Sequence, residues 1–107
     1  MISTHILDTT LGHPAKAVEV LLEKEESGQW VVLEKQITNE DGRIQYSNAK
    51  NAGTYRLTFN TKIYFKKLGQ ETFFQNVQVC FEITDTSRKY HVPLLLNPFS
   101  YSTYRGS

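Results

Sequence analysis

Three histidines, His5, His13 and His91, are the side chains of this sequence whose ordinary pKa lets them exchange a proton near neutral pH. His5 lies in Ser3-Thr4-His5-Ile6-Leu7-Asp8. In a strand, Ile2, Thr4 and Ile6 would share one face and His5 would point the other way with Ser3 and Leu7. His91 heads the apolar run Val92-Pro93-Leu94-Leu95-Leu96, on the face opposite Val92, Leu94 and Leu96. His13, in Leu11-Gly12-His13-Pro14, reads as part of a turn with its ring in solvent. Two arginines stand near turns or ends. Arg43 follows Asn39-Glu40-Asp41-Gly42, so it begins a strand just beyond a tight turn, a rigid mount for a planar fork of donors. Arg105 belongs to the closing Tyr104-Arg105-Gly106-Ser107. Taken one at a time, His5 and His91 also read as hydrogen-bonded strand residues, Arg43 as a surface charge and the last four residues as a frayed end. The aromatic content of that end argues against disorder.

The recurrent catalytic spacings are absent. There is no Gly-x-Ser-x-Gly elbow, no phosphate-binding glycine loop, and no His-x-x-x-His or Cys-x-x-Cys metal pair. His5 and His91 could contribute to a zinc site only with a third ligand from elsewhere. The single cysteine, Cys80, rules out an intramolecular disulfide and fits a reducing compartment. Its place between Val79 and Phe81 reads as a half-buried strand position.

The elements that must carry these residues are strands. Val18, Val20 and Leu22 alternate with Glu19, Leu21 and Glu23; Tyr55, Leu57 and Phe59 with Arg56, Thr58 and Asn60; Val77, Val79, Phe81 and Ile83 with Gln78, Cys80, Glu82 and Thr84. Period-two alternation marks strands with one buried face, and it favours antiparallel pairing because little chain is left for helical crossovers. Turn-forming clusters at Gly12-His13-Pro14, Glu26-Ser27-Gly28, Asn39 to Gly42, Asn48 to Gly53, Gly69-Gln70 and Asn97-Pro98 divide the chain. Strands are predicted near residues 2–8, 17–25, 29–38, 43–46, 53–60, 76–84, 89–96 and 100–105, forming a two-sheet antiparallel sandwich. One short helix is predicted over Thr61 to Leu68, opened by Asn60 or Thr61 and closed by Gly69. The charged cluster Glu23-Lys24-Glu25-Glu26 reads as solvating a hairpin end. The run Val92 to Leu96 is apolar at both parities, which predicts that another subunit covers its second face; Pro93 predicts an edge or bulge there.

Composition bounds the function. At 107 residues the chain is read as one domain, 1–107, with a single core. Its 12 Lys+Arg against 11 Asp+Glu give a net charge of +1, without the basic surplus that nucleic acid or an anionic membrane would require. No apolar run approaches the roughly 18 to 20 residues that span a bilayer, and the first residues lack the regions of a signal peptide, so the expected location is cytoplasmic.

Ser3-Thr4-His5-Ile6-Leu7-Asp8-Thr9, followed by Gly12 and Pro14, resembles the opening signature of the transthyretin-like 5-hydroxyisourate hydrolase family. The run from Tyr90 to Ser107 is similar to that family's C-terminal signature almost throughout, and Thr38 to Arg43, Gly53 to Leu57 and Thr72-Phe73-Phe74 match in order between them. The terminal Tyr-Arg-Gly-Ser is the most specific part, because the hormone-carrying transthyretins do not end on it. Gln75 departs from the proline many members have after the paired phenylalanines, which touches a loop only.

The resemblance implies an all-β, prealbumin-like Greek-key sandwich with one short helix. It also implies dimers paired through edge strands, and a homotetramer whose channel holds sites at the subunit interface. It implies catalytic roles for His5, Arg43 and His91 and substrate contacts from Tyr104, Arg105, Gly106 and Ser107, with Arg105, Gly106 and Ser107 lining the site from a neighbouring subunit. The implied reaction opens 5-hydroxyisourate to 2-oxo-4-hydroxy-4-carboxy-5-ureidoimidazoline in urate breakdown, with no metal or organic cofactor. A neutral imidazole can take a proton from water, and either histidine could be that base. A guanidinium can stabilise the oxyanion. The competing reading is a non-enzymatic carrier on the same fold, whose channel would be expected to lose this polar cluster. A structural sandwich module of the adhesive kind would leave the tail unexplained.

Overall fold

The computed structural model describes residues 1–107. The alternating segments fold into two sheets. The first is built around β1 (Ile2–Asp8). One edge of β1 pairs with β8 (Tyr90–Asn97), and the other is shared by β2 (His13–Pro14) and β5 (Arg43–Tyr46); β9 (Ser100–Thr103) lies outside β8. The second sheet has the order β4 (Gln29–Ile37), β3 (Glu19–Glu26), β6 (Gly53–Phe59), β7 (Val77–Ile83). Between them lies one core that includes Ile2, Ile6, Val20, Leu22, Tyr46, Leu57, Phe59, Leu94 and Leu96, each at most 2% exposed.

Burial of these alternate side chains drives the assembly, at roughly 1.5–3 kcal/mol for each large one removed from water. The opposite face of the first sheet is thereby left to Ser3, His5 and Leu7. The helix, α1 (Thr61–Lys67), links β6 to β7 and buries Thr61 and Phe65. Asn60 occupies its N-cap position without capping it; its amide is drawn to the Glu19 carboxylate instead. Gly69 ends it, donating its N–H to the Lys66 carbonyl at 3.0 Å. No helix is long and apolar enough to cross a membrane.

Four expectations need correction. The central pair β1–β8 is parallel, running from Ile2↔Tyr90 to Asp8↔Leu96. Parallel neighbours need a long crossover, and here the whole second sheet supplies it in place of a helix. His13 and Pro14 leave the turn to pair with Asp8 and Leu7, although the His13 ring stays exposed. Cys80 is exposed, because β7 is an edge strand and its outer face has no layer over it. Glu23 is buried, in an ion pair with Arg56 across the second sheet, while only Glu25 and Glu26 behave as solvated charges.

Candidate functional site

The outward face of the first sheet collects the suspected residues by register. The Asn39–Gly42 turn sets Arg43: Asn39 Oδ1 accepts the N–H groups of Asp41 and Arg43, each at 3.0 Å, and Gly42 N–H reaches the Asn39 carbonyl at 2.9 Å. Gly42 has φ +71°, and a Cβ there would lie 2.6 Å from the Ile6 carbonyl oxygen, so the turn can press against β1 only with glycine at this position. This seats β5 so that Arg43 stands directly opposite His5. On the other edge of β1, the parallel register places His91 opposite Ser3. His5 and His91 therefore flank one another diagonally across two strands, with Arg43 beyond His5.

Ser3 Oγ lies 2.8 Å from His91 Nδ1. Both imidazoles are held below histidine's ordinary pKa of 6.5. For His5 the causes are burial first, then Arg43 and His91, partly opposed by Asp41. For His91 they are burial and Arg43, partly opposed by the Ser3 main chain. Neutral imidazole is thus favoured at both positions, beside a guanidinium with no carboxylate ion-paired to it. Such a set can accept a proton and stabilise negative charge on an oxygen. No group of three or more His, Cys, Asp or Glu side chains is arranged to hold a metal ion.

A cavity of about 650 Å³ opens over this face, lined by Ser3, Arg43, Gln45 and His91 among others. Only Met1, Ile37 and Ile44 of its lining residues are hydrophobic. The chain's own terminus closes one side. The β8–β9 ladder stops at Leu94↔Thr103, one residue short of Pro93, which has no N–H to extend it. Thr103 Oγ1 donates to the Pro93 carbonyl at 2.7 Å, residues 104 and 105 swing out, and Gly106 returns to donate its N–H to the His91 carbonyl at 2.8 Å. Proline thus marks the end of the ladder, as the sequence predicts. The tail also covers part of the second apolar face of β8, because a Cβ on Gly106 would stand 3.2 Å from Pro93 Cγ.

The terminal tetrapeptide is divided by this path. Gly106 and Ser107 line the cavity of their own chain. Tyr104 and Arg105 face a second recess of about 160 Å³ beside Val79 and Phe81, which shares His91 with the cavity, and the Arg105 guanidinium stacks 4.7 Å from the centre of the Tyr90 ring. Within this chain, Gly106 rests on its own His91. Ser3, Gln45 and Lys89 are cavity residues that sequence reasoning did not single out. Ser3 had a visible signal, its shared parity with His5; its pairing with His91 depends on a register between strands more than 80 residues apart.

The HIUase/Transthyretin family model matches residues 2–106. A 5-hydroxyisourate hydrolase of Mus musculus is 45% identical, the match covering 99% of this chain and 94% of the relative. The structure of Klebsiella pneumoniae 5-hydroxyisourate hydrolase superimposes with a TM-score of 0.87 at 41% identity, over 99% of this chain and 98% of that one. Sea bream transthyretin in complex with thyroxine superimposes with a TM-score of 0.92 at 31% identity, over 98% and 93% of the two chains. Near-complete coverage by both the family model and these relatives establishes that the chain belongs to the HIUase/transthyretin family.

Proposed function

We propose that this protein is a 5-hydroxyisourate hydrolase, and that His5, Arg43 and His91 carry the reaction. The observation that carries the reading is the convergence, on one sheet face, of two imidazoles held neutral and an arginine without a carboxylate partner. Hydrolase relatives across nearly the whole chain support it.

Water attacks the activated ring carbonyl while a neutral imidazole takes one of its protons. Arg43 donates to the oxygen on which negative charge collects. The ring C–N bond then breaks with the nitrogen as leaving group, that nitrogen takes up the proton held by the imidazole, and the former carbonyl carbon stays attached as the carboxylate of the ring-opened 2-oxo-4-hydroxy-4-carboxy-5-ureidoimidazoline. Holding water and substrate in one orientation supplies much of the acceleration. No step here calls on a metal or organic cofactor. The lining, in which only Met1, Ile37 and Ile44 are hydrophobic, offers polar side chains to this planar, nitrogen-rich substrate that an apolar cargo would leave unused, which favours the reading over a ligand carrier.

The same reading takes residues 1–107 as one hydrolase domain assembled into a homotetramer. The free edges of β7 and β9, and the exposure of Phe73 (75%) and Phe99 (62%), support pairing with further copies. In that assembly Tyr104 and Arg105, turned away from their own cavity, are assigned to substrate contact in a neighbour's. An unpaired, exposed Cys80 suits the cytoplasm, the compartment assigned here.

The test is the ultraviolet absorbance of freshly generated 5-hydroxyisourate with and without the protein. Decay that accelerates in proportion to protein, resists a chelator and is lost in the His91→Asn variant supports the hydrolase. Unchanged decay with a folded, assembled wild-type protein overturns it and brings the carrier forward. Sedimentation velocity tests the tetramer.

A further inference from the structure

We propose that Gln45 is a specificity-determining residue whose side-chain amide reads an N–H beside a C=O on the edge of the substrate's ring system. The inference rests on the hydrolase reading and deepens it, because it names a group that selects a heterocycle rich in amide bonds. Three carboxamides line the cavity, those of Gln36, Asn39 and Gln45. Two of them are committed within the protein. Asn39 Oδ1 holds the N–H groups of Asp41 and Arg43, while Gln36 Nε2 is drawn to the Glu34 carboxylate and donates to the Gln45 carbonyl at 2.8 Å. Gln45 is thereby clamped at its main chain from β4, and its own carboxamide bonds to nothing in the protein.

Register places this uncommitted amide. Along β5, Ile44 and Tyr46 enter the core, and Arg43 and Gln45 are exposed on the cavity face. Ser3 stands between Gln45 and His91 across the sheet, and His5 between Arg43 and Pro93. Gln45 therefore shares a row with His91, two residues or about 6.5 Å along the strand from the row of Arg43 and His5. A fused two-ring substrate is long enough to bridge the two rows, with its reacting carbonyl polarised at Arg43 and another edge over Gln45. The two side chains differ in what they can meet. A guanidinium has donors only and is matched by carbonyl oxygens, whereas a carboxamide presents a donor and an acceptor side by side. The urea and imide segments of 5-hydroxyisourate carry the complementary pattern. A site that pairs such a group rejects analogues lacking it, because its own polar atoms are then left without partners.

The experiment combines one variant with blocked substrates. Gln45→Met keeps the length of the side chain and removes both hydrogen-bonding groups, at an exposed strand position that leaves the core intact. On 5-hydroxyisourate, the variant is expected to raise KM about fivefold with kcat within about twofold of wild type, the signature of lost substrate binding. The comparison is repeated on N-methylated 5-hydroxyisourates, prepared by oxidising N-methylurates, each with one ring nitrogen blocked. For the analogue methylated at the nitrogen that Gln45 meets, the wild type and Gln45→Met are expected to agree in KM within about twofold, while the other analogues keep the gap.

An unchanged KM in Gln45→Met overturns the proposal, as does a loss confined to kcat. A gap of the same size on every methylated analogue also overturns it, because the effect would then not come from a ring N–H. A wild type that hydrolyses 5-hydroxyisourate beside a variant with wild-type KM removes this inference alone, whereas a folded wild type without activity removes the hydrolase reading and this inference with it.

Discussion

Each sheet carries one cluster of charged and polar strand residues on its outer face, and the two clusters are solved in opposite ways. On the second sheet, the Arg56 guanidinium holds the Glu23 carboxylate through two bonds, at 3.0 and 2.7 Å, and stacks 4.3 Å from the Trp30 ring centre; Thr58 Oγ1 donates to the same carboxylate. Its acid and base are each pushed toward the charged form: the Arg56 bond holds Glu23 below the usual carboxylate range, and Glu23 raises Arg56 in return. On the first sheet, Arg43 faces His5 with no ion-paired carboxylate, and the two imidazoles are pushed toward the neutral form. A satisfied cluster has no free energy left for a ligand. The unsatisfied one retains donors and acceptors that only a substrate can complete, at some cost to the stability of the empty protein.

The sharpest way to break this comparison is to remove one member from each cluster. On the first sheet, His91→Asn or Arg43→Ala is expected to lower kcat/KM by a factor of about 10² or more while the thermal midpoint stays near wild type, since each removes a proton acceptor or a charge from an open face. Rate assays beside thermal melts of the same preparations check it, and a large fall in melting temperature would place these residues in the structural class instead.

On the second sheet the expectation reverses. Arg56→Ala leaves the Glu23 side chain, only 8% exposed, with Thr58 as its remaining partner, and is expected to destabilise the fold by about 2 kcal/mol without changing activity per folded molecule. Urea titration measures it. The pH dependence follows from the depressed Glu23 pKa: the ion pair contributes fully above the unfolded value of 4.5 and is lost as pH falls through the lower folded value. The gap between wild type and variant should therefore close below about pH 4.5.

A smaller effect separates the tail from the sheet beneath it. Gly106→Ala adds a methyl against His91 Cδ2 and Pro93 Cγ, and is expected to lift the terminus and cost about tenfold in rate with stability hardly changed. Full activity in this variant would show that Gly106 can leave His91 without consequence.

The strands around both clusters were legible because a single face of each is apolar, and the alternation of Tyr55, Leu57 and Phe59 with Arg56 is preserved as burial in β6, although Thr58 is buried as well, against the Glu23 carboxylate. The Asn39–Gly42 turn could be read locally, so the rigid mounting of Arg43 could be too. Which cluster was functional could not. Glu23 sits in a run of four charges that looks solvated, and its burial depends on Arg56, 33 residues away. The parallel β1–β8 pair was equally hidden, because its crossover is a whole sheet and leaves no helical signature. The resemblance to a known family identified His5, Arg43 and His91; the pairwise register that brings Ser3 to His91 came from the fold. The path of the tail, with Tyr104 and Arg105 on one side and Gly106 and Ser107 on the other, arises where Pro93 leaves the β8–β9 ladder without a donor.

The finest distinction between the clusters is in acid. If the first-sheet histidines act as neutral bases, activity must fall as they protonate, and the fall in kcat/KM reports the free protein's groups. Burial and the Arg43 charge oppose that protonation at both rings, so the acid limb is expected to have its midpoint below 6.5, histidine's ordinary value. His5 and His91 also act on each other, so the limb belongs to the pair and not to either ring alone. Added salt should move the midpoint upward by a few tenths of a unit, because Arg43 acts through a partly open cavity where ions can screen it. The same salt should leave the low-pH loss of stability at Glu23 nearly unchanged, since direct hydrogen bonds from Arg56 and Thr58 dominate there. A midpoint above 6.5, measured over a pH series in which the protein stays folded, would mean that an anion governs the histidines and that the first-sheet cluster is as internally satisfied as the second.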